Sequence, residues 1–206
     1  MRTESIEIVN FKCTLELNIT SSLKKPVLIW PDDFGKVMLP FWTDEILTSC
    51  KNCSVNPFEV VGIDIGNHAQ ENQTVQQCQI LNNSARARLR PPSYHKVGDF
   101  PLYIAGEGKN RVSLFQKNQK DIIADIKFTP YPKANTLKIH KVFGRRLYFV
   151  SCTDRKFNPS NKFIQVAFPK LTLPLLRAYN VKDGQCIIRP FACSIEKKAI
   201  RNLYNQ

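Results

Sequence analysis

The sequence predicts a mainly β protein, α+β at most. It reads as one barrel- or sandwich-like domain over residues 1–206, with short helices and a C-terminal helix. Three observations carry this. Most apolar stretches are short or alternate with period two, as strands do. Helical spacing is scarce before the last residues. No stretch is long, polar and rich in Gly and Ser, so nothing marks a linker between two domains.

In chain order, residues 6–19 alternate in stretches with period two and read as a strand. Residues 26–30 form a short apolar run, closed by a turn at Pro31-Asp32-Asp33-Phe34-Gly35. Residues 43–49 are long enough for two helical turns. Residues 58–65, 100–105, 111–116 and 122–128 are strand candidates. Residues 137–143 and 145–152 read as a hairpin, with Gly144 supplying the backbone freedom of a tight turn. Residues 171–179 suit two helical turns. At 194–204, Ile195, Ala199, Ile200 and Leu203 share a helical face behind an N-cap Ser194.

Hydrophobic residues make up 43% of the chain, enough to bury a core without disulfides. No apolar run approaches the roughly 18–20 residues needed to span a bilayer. The start, Met1-Arg2-Thr3-Glu4-Ser5-Ile6-Glu7, has no apolar h-region, so secretion is not expected. Seven cysteines, an odd number, then favour reduced thiols in the cytoplasm or nucleus.

The charge is divided between two parts. Residues 1–80 carry 6 Lys/Arg against 10 Asp/Glu, and residues 81–206 carry 24 against 7. Charge of this kind speaks of partners and not of fold. It predicts a polyanionic partner for the second part, nucleic acid first. Candidate phosphate contacts are Arg86, Arg88 and Arg90, at alternate positions, and Lys138, Lys141, Arg145 and Arg146 of the hairpin. The planar guanidinium of Arg donates bidentate hydrogen bonds to phosphate. His140, lying between Lys138 and Lys141, is a candidate phosphate or base contact. Tyr131 and Tyr148 are candidate stacking platforms, as in proteins that bind single strands. The alternative reading is a structural or interaction protein, either a structural or assembly protein or a barrel-type adaptor. Its basic face would hold an acidic protein surface, or the acidic part of another copy in a homo-oligomer.

Other patterns carry less. Cys50-Lys51-Asn52-Cys53 has zinc-knuckle spacing, with His68 and Cys78 the nearest further ligands. Their spacing matches no common finger, so zinc is allowed but no cofactor is expected. Val60-Val61-Gly62-Ile63-Asp64-Ile65-Gly66 resembles the first phosphate loop of sugar kinases and actin-like ATPases, but Asn67-His68 replaces the usual Thr or Ser and no partner loops follow. Gly106-Glu107-Gly108-Lys109 lacks Walker spacing. The acidic pairs Asp32-Asp33 and Asp44-Glu45 read as solvated surface. With no Ser/His/Asp or Cys/His arrangement recognisable, the expected function is non-enzymatic.

Two resemblances remain. Residues 35–47 read strand, Pro, short helix, and residues 163–179 repeat that order before Val181-Lys182-Asp183-Gly184 and a further strand. This unit resembles the repeat of double-psi and related swapped-hairpin β-barrels, which implies a barrel fold. The composition, rich in Lys, Asn and Ile and poor in Gly, resembles that of proteins from large insect DNA viruses, which implies a viral, virion-associated setting.

Overall fold

The computed structural model describes residues 1–24, 28–62, 75–83 and 90–186. They form an α+β fold with two mixed sheets. Helix α1 (Arg2–Leu23) and helix α2 (Pro31–Met38) come first, then strands β1 (Thr48–Val55) and β2 (Val60–Val61). Helix α3 (Val75–Asn82) precedes β3 (Ser93–Val97) and β4 (Tyr103–Glu107). Helix α4 (Val112–Lys117) and β5 (Ile122–Thr129) follow. The last part holds β6 (Leu137–Lys141), β7 (Tyr148–Cys152), β8 (Phe163–Gln165), helix α5 (Pro169–Ala178) and β9 (Lys182–Asp183).

The first sheet has the order β1-β5-β3-β4-β2 and the second β8-β7-β6-β9. Neither closes on itself, so the expected barrel is not formed. Closure needs the two edge strands to pair, and β2 and β9 are only two residues long. Apolar side chains between the sheets form the main core. Ile104 and Val97 of the first sheet, Leu137, Ile139 and Val150 of the second, and Leu175 and Leu176 of α5 meet there with Ile8 and Phe34 of the first two helices. The other face of the first sheet holds a second core around Tyr94, Ile122, Ala124, Ile126 and Phe115.

Four local expectations are corrected. The strand expected at 6–19 is part of α1. Its buried positions, Ser5, Ile8, Val9, Lys12 and Glu16, are spaced by three or four, as a helix face requires. The turn expected at 31–35 is the start of α2. Pro31 stands in its first turn and Asp32 and Asp33 face the positive end of its dipole. The helix expected at 43–49 is extended chain leading into β1, and the strand expected at 111–116 is mostly α4.

Residues 122–128 form β5 and residues 171–179 lie in or next to α5, as expected. The second copy of the proposed repeat runs β8, α5, β9. In the first copy Val37 and Met38 end α2 instead of forming a strand. The helix expected at 194–204 lies outside the described residues.

Among the described residues no helix is long and apolar enough to cross a membrane.

Candidate nucleic-acid interface

The hairpin β6–β7 forms where the sequence predicts it. Its strands pair antiparallel from Leu137 opposite Cys152 to Lys141 opposite Tyr148. The turn is closed by Val142 N–H donating to Leu147 O at 2.9 Å and Arg145 N–H donating to Val142 O at 3.2 Å. Gly144 stands third in that tighter turn with φ +68°, the place where type II geometry calls for glycine. A Cβ at Gly144 would meet nothing within 4 Å, so the backbone alone demands it.

Alternation along β6 turns Leu137 and Ile139 into the main core and Lys138 and His140 to the opposite face. The register then aligns one row across the second sheet. Phe163 of β8 faces Ser151 of β7, Ser151 faces Lys138 of β6, and Lys138 faces Lys182 of β9. Two lysines thus stand side by side on neighbouring strands, an arrangement that like-charge repulsion opposes. Both are exposed.

They belong to a larger set. Lys133, Lys138, Lys141, Arg145, Arg146, Arg155, Lys162, Lys170 and Lys182 are all exposed and make no ion pair among the described residues. The only acids between 133 and 186 are Asp154 and Asp183. Asp183 is paired with Arg177 at 3.0 Å, and Asp154 accepts the backbone N–H of Lys156. Lys156 reaches Glu45 in the acidic first part at 3.0 Å. The positive charge of the second sheet and its flanks is therefore largely left to solvent.

The remaining candidates separate. Arg90 is exposed, and its carbonyl accepts Arg111 Nη2 at 3.1 Å. Arg86 and Arg88 lie outside the described residues. Tyr131 is 7% exposed and offers no stacking surface. Its ring lies edge-on to Phe100 and Tyr179 inside the core, its hydroxyl has no partner among the described residues, and burial pushes its pKa well above the usual 10. Tyr148 packs partly buried against the same core.

His140 is not a free contact either. Its Nδ1 lies 3.0 Å from Gln185 O and its Nε2 2.8 Å from Ser151 Oγ. A carbonyl only accepts, so in the neutral ring Nδ1 carries the proton and Nε2 accepts from the serine. The ring also meets Phe163 edge-on at 5.1 Å. His140 is thus a clamp tying β6 to β7 and to the chain after β9. A Cβ on Gly184 would come within 2.7 Å of that ring.

Cys50 and Cys53, expected as reduced thiols, are joined in a disulfide across an irregularity in β1. Asn52 between them has φ +54°, and its N–H donates to Asp125 Oδ1. Cys78 is buried in the second core, where burial raises its thiol pKa, the opposite of what a metal-binding thiolate needs. His68 lies outside the described residues. No group of three or more His, Cys, Asp or Glu suited to a metal occurs among the described residues.

Sequence reasoning missed Lys182 as a contact, and took Tyr131 and Tyr148 rather than Phe143 as the stacking platforms. The pairing of Lys182 with Lys138 is parallel and 44 residues apart in sequence, which no local pattern reveals. Phe143 did carry a signal, its place beside Gly144 at the corner of the hairpin. Compared with protein-family models, curated proteins and solved structures, the chain matches none.

Proposed function

We propose that the protein binds nucleic acid without catalysing a reaction, through phosphate contacts made by the second sheet and its hairpin. The observation that supports this is the set of exposed cations between Lys133 and Lys182 with almost no acid among them. Keeping like charges together costs free energy through mutual repulsion; the phosphates of a polyanion offset that cost, and the counterions they release add to the affinity. The placement is suitable too. Lys138 and Lys182 are register partners on neighbouring strands, so both lysines stand on one face of the sheet. Lys138, Lys141, Arg145, Arg146 and Lys182 are the contacts on this reading.

The test is binding of purified, nucleic-acid-free protein to labelled single- and double-stranded oligonucleotides over a salt series. A steep log–log salt dependence is expected. Arg145→Glu with Arg146→Glu should weaken binding to all sequences alike and lower the salt slope by about one to two units. An unchanged slope would remove the hairpin from the interface. Absence of binding at low salt would end the nucleic-acid reading.

A further inference from the structure

The hairpin turn carries an apolar side chain where a polar one would be usual. Phe143 is 74% exposed, the most exposed large hydrophobic residue among those described, while Val142 beside it is 3% exposed. The turn produces this split. Val142 keeps its strand direction and is buried. Phe143 occupies the corner, second in the turn closed by Arg145 N–H to Val142 O, and points away from the body. A lone exposed apolar side chain is ordinary on a protein surface. This one is different in its company. Lys141, Arg145 and Arg146 are exposed within three residues of it, and the nearest acid along the chain is Asp154.

We infer that Phe143 is a base-stacking tip, and that the ring packs on an unpaired base while Lys141, Arg145 and Arg146 hold the flanking phosphates. The inference rests on the nucleic-acid reading and adds its strandedness and its aromatic contact. A phenyl face stacks on any base, so the tip contributes affinity for single strands without sequence preference. It also supplies what the buried Tyr131 cannot.

The experiment uses the full chain and single-stranded oligonucleotides carrying 2-aminopurine, whose fluorescence reports stacking, beside matched duplexes and vesicles containing phosphatidylserine. Phe143→Ala should weaken single-strand binding about 5- to 100-fold, abolish the 2-aminopurine response and leave the salt slope unchanged, since no charge is lost. Phe143→Trp should preserve affinity, and its indole emission should change on binding. Because the side chain is exposed, neither substitution should alter the unfolding midpoint. Equal affinity and an equal 2-aminopurine response in Phe143→Ala would overturn the inference while the nucleic-acid reading stands. A Phe143 effect confined to duplexes would overturn it in favour of a wedge between base pairs. Failure of the unmodified protein to bind any oligonucleotide would remove both readings, and Phe143-dependent vesicle binding in that case would make the tip a membrane contact.

Discussion

Lys12 and Glu16 lie one helical turn apart in α1, both almost fully buried, with Nζ 2.6 Å from Oε1. The same carboxylate oxygen accepts the backbone N–H of Ile29 at 2.8 Å, fastening the helix to the chain that enters α2. Taking away one member of a buried pair strips the other of an opposite charge in direct contact, a loss of up to about 3–5 kcal/mol. Lys12→Met should therefore lower the stability measured by urea unfolding by about that amount. Lys12→Met combined with Glu16→Leu should recover only part of it, because the buried Ile29 N–H then loses its acceptor. His95 makes a separate prediction. Burial lowers its pKa below the usual 6.5, Lys127 and Lys36 push the same way, and Asp32 and Asp44 oppose them. The folded protein then binds this proton less readily than the unfolded chain. Its contribution is complete above pH 6.5 and is lost as the pH falls through the lowered value. Asp32, raised above 3.8 chiefly by its own burial, has the opposite sign. Stability measured from pH 7 down to pH 5 should decline less steeply in His95→Asn than in the native chain, and parallel curves would show that His95 does not titrate on unfolding.

At the scale of elements, the hairpin and α1 show why some local patterns are readable and others are not. The hairpin is encoded locally. Alternation on both sides of Gly144 specifies two strands, and one residue supplies the turn. Gly144→Val should confirm this. A β-branched residue at φ +68° strains the backbone by about 1–2 kcal/mol, and the space around the position is open. The expected result is a lower urea midpoint with no change in the denaturant slope. An unchanged midpoint would mean that the turn has another conformation. Helix α1 is not encoded so simply. Ile6, Ile8, Leu15, Leu17 and Ile19 fall at positions that alternate, while the buried face includes Ser5, Lys12 and Glu16, which no apolar pattern picks out. The helix is chosen because α5 and the segment before α2 offer partners for that face, among them Phe168 against Phe11 at 5.1 Å. Of the proposed contacts, Lys138, Lys141, Arg145 and Arg146 are legible because charge is written in the sequence. The roles of Tyr131 and His140 were not, because burial is decided by what packs on a side chain.

For the whole molecule, the sequence by itself determined the excess of positive charge after residue 80, the β6–β7 hairpin, the β5 strand and the helix after Pro169. Composition and local spacing are sufficient for these, since each depends on near neighbours or on none. The tertiary structure decided that two open sheets share one core in place of a closed barrel. It also decided that Lys182 stands beside Lys138, and that Tyr131 is buried while Phe143 is exposed. The reason is physical. Strand partners, sheet closure and the burial of a given ring are set by contacts between residues far apart in sequence, and their free energies are realised only when the whole core is assembled.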